Sequence, residues 1–146
     1  MIIETNRRRI VVADQDRTVL ELLQIRLSIA GYDVFVDRTG PAALETIRRV
    51  QPAAVIIEVT VPEMDGFSVM QALAPRGEAL AFPILVMGRK LGAEDIQKAV
   101  RLGARDCLIK PFSGAHIVER VDRQFRRAAP PPRPAPVVYV ENYQGR

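Results

Sequence analysis

Residues 54–67 read Ala-Val-Ile-Ile-Glu-Val-Thr-Val-Pro-Glu-Met-Asp-Gly-Phe. The stretch opens on four apolar residues in succession and meets a carboxylate at Glu58. A run that is apolar at every position, not at alternate ones, suits a parallel strand buried on both faces of its sheet. Pro62 and the pair Asp65-Gly66 then break the run, and a helical pattern follows over 66–74.

Working outward, the same alternation recurs. Strand-like runs are expected at Arg9–Ala13, Asp33–Val36, Pro83–Met87 and Asp106–Ile109, with helical stretches near 17–30, 41–50, 93–102 and 114–127. Ile10-Val11-Val12 and Ile84-Leu85-Val86 repeat the unbroken apolar character. Five strand–helix units at this spacing mean right-handed crossovers and a parallel sheet covered on both sides, an α/β three-layer sandwich. Gly31 and Gly103 are expected to end the first and fourth helices. Asp16 or Thr18 caps the first, and Ser113 the fifth. On the first helix Val19, Leu23, Leu27 and Ala30 form the stripe expected to face the sheet, and Ile25 and Ile29 project away from it.

At 146 residues, 48% apolar and 26% charged, the chain has the size and balance of one soluble globular domain. No apolar run is long enough to span a bilayer and no signal peptide opens the chain, so a cytoplasmic address without membrane attachment is expected. Cys107 and His116 are single, which excludes an intrachain disulfide and any His- or Cys-rich metal site. The net charge is +4, and only Lys90, Lys98 and Lys110 among the basic residues are lysines. Residues 130–136, Pro-Pro-Pro-Arg-Pro-Ala-Pro, favour extended polyproline conformation. The expected organisation is an arm over 1–8, a domain over 9–127, and a proline-rich linker with a flexible tail over 128–146. Within that tail Val137-Val138-Tyr139-Val140 is strand-prone and could add to a sheet edge.

The chemistry-bearing residues fall at the C-terminal ends of strands, where ligands bind in an open α/β sheet. They are Asp14-Gln15-Asp16, Glu58, Gly88-Arg89 and Lys110-Pro111. With Ala30-Gly31-Tyr32, Val61-Pro62-Glu63-Met64-Asp65-Gly66-Phe67 and Gly103-Ala104-Arg105-Asp106 leading to Lys110-Pro111-Phe112, this pattern resembles the CheY-like receiver domain of bacterial response regulators. The match covers about residues 8–127. The resemblance implies a (βα)5, flavodoxin-like fold with strand order 2-1-3-4-5, the first and fifth helices on one face, and a cis bond before Pro111.

The resemblance also implies phosphoryl transfer from a kinase phosphohistidine to an aspartate ending the third strand, assisted by magnesium, a lysine and a hydroxyl. This sequence departs from that set. The acceptor position is Glu58, one methylene too long for a positioned nucleophile. The acidic pair reads Asp14-Gln15, so a charged metal ligand has become an amide. The switch hydroxyl position is Gly88, followed by Arg89, and the switch aromatic is Cys107. Lys110 alone of the switching set is intact. Glu58 is expected to reach Lys110 as a permanent ion pair, with Asp14 beside it. Asp65 is read as an ordinary loop residue, not a substitute acceptor.

These departures converge on a degenerate phosphoacceptor pocket and a non-enzymatic, phosphorylation-independent module that works by protein–protein interaction. No cofactor is expected. A candidate weak cation site, with Asp14, Glu58 and a backbone carbonyl near Thr60 as ligands, is left open. The expected interaction face combines the fourth helix, fifth strand and fifth helix, with Lys98, Arg101, Arg105, Arg120 and Arg123 beside Cys107 and Ile109. It suits an acidic protein partner or self-association. The alternatives are binding of a cyclic dinucleotide or nucleic acid by Arg120, Arg123, Arg126, Arg127 and Arg133, or service as the receiver part of a longer regulator.

Overall fold

The computed structural model describes residues 7–126. Its elements alternate as β1 (Arg9–Ala13), α1 (Arg17–Ile29), β2 (Asp33–Asp37), α2 (Gly40–Val50), β3 (Ala54–Glu58), α3 (Gly66–Leu73), β4 (Ile84–Gly88), α4 (Ala93–Arg101), β5 (Asp106–Ile109) and α5 (Gly114–Phe125). The five strands are parallel in the order β2-β1-β3-β4-β5. The expected strands are present, and β4 is displaced by one residue. Pro83 has no N–H to give the ladder, and its carbonyl instead accepts from Val55 N at 3.0 Å.

Alternate side chains of each strand enter two cores. Ile10, Val12, Ile56, Leu85, Met87 and Leu108 pack beneath α1 and α5. Val11, Ala13, Val55, Ile57, Ile84 and Val86 pack beneath α2, α3 and α4. Burial on both faces is why these runs are apolar throughout, and each buried Val, Leu, Ile or Met side chain contributes about 1.5–3 kcal/mol. Truncating Ile56 to Ala would cost about 2–5 kcal/mol, because the covered sheet cannot collapse around the gap.

The first helix buries Leu20, Leu23 and Leu27. The expected stripe is thus rotated: Val19 is only half-buried and Ala30 is exposed. Ala30 is the C-cap, beyond the last turn that reaches the sheet. Ile25 and Ile29 are 59% and 80% exposed. Asp16 caps α1 by accepting from Thr18 N, and Ser113 caps α5 by accepting from His116 N. Gly31 and Gly103 follow their helices at φ 102° and 100°, a region costly to side-chain-bearing residues. The Lys110–Pro111 bond is cis.

Among the described residues no helix is long and apolar enough to cross a membrane. The expected arm lies largely, and the expected linker and tail wholly, outside the described residues. So do Arg127, Arg133 and the Val137–Val140 segment.

Candidate functional site

Parallel strands bring their C-terminal ends to one edge of the sheet, and the loops beyond them form a crevice. Asp14 N donates to Asp37 O, Val59 N to Met87 O and Lys110 N to Gly88 O, which holds each loop root against its neighbour. The loop after β3 folds back tightly. Gly66 N donates to Val59 O, and a Cβ on Gly66 would stand 2.8 Å from Glu58 O. That approach requires glycine, and it fixes the backbone that presents Glu58. Asp65 caps α3, its Oδ1 accepting from Ser68 N at 2.7 Å.

At the floor of the crevice one ammonium meets two carboxylates. Lys110 Nζ lies 2.5 Å from Asp14 Oδ2 and 2.8 Å from Glu58 Oε2. All three side chains are buried, Asp14 completely. The second oxygen of Glu58 accepts from Gln15 Nε2 at 3.1 Å and from Gln15 N at 3.3 Å. Asp14 Oδ1 accepts from Asp16 N at 2.9 Å. The contact of Asp14 Oδ2 with the ammonium is a short ion pair.

One cation shared by two anions leaves a negative excess, and its effects are unequal. Burial pushes the Asp14 carboxyl above the usual carboxylate range, against the lowering pull of Lys110. Burial also acts to lower Lys110, but hydrogen bonds and charge from Asp14 and Glu58 outweigh it and hold the ammonium above the ordinary lysine range. Lys110 therefore stays charged throughout the neutral range, and the cluster is a closed ionic unit.

The space beside Gly88 is filled. A Cβ on Gly88 would lie 2.8 Å from Leu91 Cδ2, so the loop after β4 folds its leucine over the bare glycine. Arg89 is largely exposed, and its Nη2 stands 3.8 Å from Asp16 Oδ2. Above the ion pairs opens a cavity of about 590 Å³, lined by Gln15, Glu58, Thr60, Arg89, Lys90 and Leu91 among others. Arg38 latches one wall, donating from Nη2 to Gln15 O at 3.0 Å. Sequence reasoning missed Leu91 and Arg38. Neither has a motif, and only their places beside strand ends mark them.

Magnesium requires close, nearly octahedral oxygen ligands. Asp14 and Glu58 do converge as a cation site needs, but on the ammonium of Lys110. Gln15 turns an N–H, not its carbonyl, toward Glu58. Among the described residues no three His, Cys, Asp or Glu side chains group as metal ligands. This donor set does not fit a magnesium ion.

The strand order, the acidic end of β1, the lysine before a cis proline and the Asp-Gly turn into α3 now stand together, and residues 10–122 match the model of the response regulator receiver domain. The chain belongs to that family. Among curated relatives of this receiver, the alkaline phosphatase synthesis transcriptional regulatory protein PhoP of Bacillus subtilis is 34% identical over 121 residues, covering 83% of this chain and 50% of that protein. The response regulator MprA of a Mycobacterium species is 36% identical over 122 residues, covering 84% and 52%. The receiver thus spans about half the length of the curated relatives it matches.

Solved structures agree on the fold. The response regulator receiver domain from Bermanella marisrubri superposes with TM-score 0.72 at 27% identity, covering 82% of this chain and 98% of that one. The chemotaxis protein CheY4 of Vibrio cholerae superposes with TM-score 0.74 at 24% identity, covering 81% and 98%.

The face of α4, β5 and α5 differs in detail from its sequence reading. Arg120 Nη1 grips both oxygens of Asp106 at 2.7 Å. Arg123 pairs with Glu119 one turn back, and Lys98 lies over the Phe67 ring on α3. Arg101 and Arg105 are exposed with no carboxylate partner among the described residues. Ile109 and Val100 are 55% and 61% exposed. Cys107 is half-buried on the α4 side of β5, and burial, with the nearby Asp106 charge, raises its thiol above the usual range.

Proposed function

We infer that this receiver works in two-component-type signalling without being phosphorylated, as a non-enzymatic, cytoplasmic module that binds a protein partner. The observation that carries the reading is the closed ionic unit: Lys110, the group that would meet a phosphoryl oxygen, is already held by Glu58 and Asp14. A glutamate carboxylate engaged with both the lysine and Gln15 is a poor nucleophile, and an apolar side chain stands in the hydroxyl position. A pocket with no incoming phosphoryl group leaves a fixed surface as the functional output.

That surface is the face of α4, β5 and α5. Arg101 and Arg105 are its available cations, and Val100 and Ile109 supply exposed apolar area. Such a patch suits an acidic partner with an apolar centre, or a second copy. Arg120 serves Asp106 instead, so charge reversal belongs at Arg101 and Arg105.

Amide NMR in the presence of beryllofluoride and magnesium tests the reading. The spectrum is expected to stay unchanged around Asp14, Glu58 and Lys110. Saturable shifts there would overturn phosphorylation independence.

A further inference from the structure

Charge differs along the strand axis. The crevice pole mixes Asp14, Asp16, Glu58, Glu63 and Asp65 with Arg38, Arg89, Lys90 and Lys110. At the opposite pole β1 is led by Arg7-Arg8-Arg9, and the last turns of α1, α2, α4 and α5 each carry arginine. Three contacts join part of this pole into a belt. Arg8 lies 4.4 Å above the Phe125 ring, beside Arg126 at the end of α5. Arg9 Nη1 donates to Val50 O at 3.1 Å, in the last turn of α2, which also carries Arg48 and Arg49. Arg48 Nη2 donates to Ala72 O at 3.4 Å, at the end of α3. The belt therefore runs from α5 through the start of β1 to α3.

Cations at helix C-termini are ordinarily favourable, which accounts for Arg48 and Arg49 singly. It extends to Arg9, which reaches Val50 O in the last turn of α2, but not to Arg8, which precedes β1. Among the described residues no carboxylate lies within ion-pair distance of Arg8, Arg9, Arg48, Arg49 or Arg126. Nearby Asp33 faces Arg7, and Asp122 takes the Tyr32 hydroxyl. The Arg49 charge acts on Asp37, which leaves Arg8, Arg9, Arg48 and Arg126 as exposed guanidinium groups whose mutual repulsion a shared anion relieves.

We propose that this pole binds the phosphodiester backbone of double-stranded nucleic acid, without reading sequence. Guanidinium forks match phosphate oxygens bidentately. The belt carries one large exposed apolar side chain at its edge, Ile29 beside Arg126, too little to anchor in lipid. Of the residues the sequence suggested for nucleic acid, Arg126 joins the belt, Arg120 and Arg123 are held by Asp106 and Glu119, and Arg127 and Arg133 lie outside the described residues. The contribution of β1 and α2 is visible only in the fold.

Fluorescence anisotropy of the full chain with a labelled random-sequence duplex of about 20 base pairs tests this. If about four phosphates are neutralised, the affinity falls roughly a hundredfold between about 50 and 200 mM salt. Arg48→Glu and Arg126→Glu, with unchanged circular dichroism, each weaken binding about tenfold and lower the salt slope by about one. Arg17→Glu, an equal charge change near the crevice pole, has a much smaller effect. Absence of saturable binding by the unaltered chain at 50 mM salt overturns the proposal, and needs no variant to fold. So does equal weakening by Arg17→Glu, or tighter binding to polyglutamate or anionic phospholipid vesicles than to the duplex.

Discussion

Leu91 occupies the space that a side chain at Gly88 would enter, with Cδ2 2.8 Å from the position of a Cβ there. An apolar group thus fills the crevice wall beside Gly88. Because Leu91 is only partly buried and the colliding atom ends a flexible side chain, it can move. Gly88→Thr is expected to displace the Leu91 methyl resonances at a cost under about 1.5 kcal/mol. A loss above about 3 kcal/mol in urea denaturation would mean that Leu91 is locked in place.

The two partners of Lys110 should be unequal to Lys110 itself. Lys110→Met leaves Asp14 and Glu58 buried without a cation, a loss of about 3–5 kcal/mol at pH 7.5. Glu58→Gln leaves a balanced Asp14–Lys110 pair and should cost about 1 kcal/mol or less. The sign with pH follows from Asp14. Its raised folded value makes the protonated form favour the native state, so the Lys110→Met deficit narrows as pH falls toward the carboxylate range. An equal deficit at pH 7.5 and pH 5 would contradict this account.

Alkaline pH should weaken the fold for two linked reasons. Lys110 is raised by Asp14 and Glu58 in spite of burial, and Tyr32 is raised by burial and by donating to Asp122. Both groups are raised above their unfolded values, so their stabilisation is complete below about pH 10 and lost as pH climbs through the folded values. Tyr32→Phe removes one of the two titrations. Its stability curve should fall less steeply above about pH 10, as followed by melting temperature against pH.

Asp65 is an exposed acid on the crevice loop, and its carboxylate is a helix cap. Asp65→Ala is expected to cost about 1 kcal/mol by thermal denaturation. Mass spectrometry after treatment with a small phosphodonor should show no phosphorylation in either form. A phosphate lost with Asp65→Ala would assign it a chemical role.

The ion pair of Arg120 with Asp106 divides the proposed interaction face into structural and available charge. Arg120→Ala should cost about 1 kcal/mol, discounted for its partial exposure. Arg101→Glu with Arg105→Glu should leave stability within about 0.5 kcal/mol and weaken partner or self-association by at least tenfold. Sedimentation at graded concentration and salt separates the two effects for self-association.

What the sequence determined alone is the periodic part. Unbroken runs such as Val55-Ile56-Ile57 demand a doubly covered parallel sheet, because polar side chains cannot be buried on either face unpaired. Caps at Asp16 and Ser113 and the glycines after α1 and α4 are likewise local, decided within a few residues. The motif residues at the strand ends identified the crevice and anticipated the Glu58–Lys110 pair. Tertiary structure decided the choices among distant partners. Leu20, not Ala30, faces the sheet because the end of α1 projects past it; Leu91 covers Gly88; Arg120 turns to Asp106 and Lys98 to Phe67. A side chain selects among neighbours by which atoms the fold brings within a few ångströms. That distance is set by strand order and helix rotation together, and no short stretch of sequence contains it.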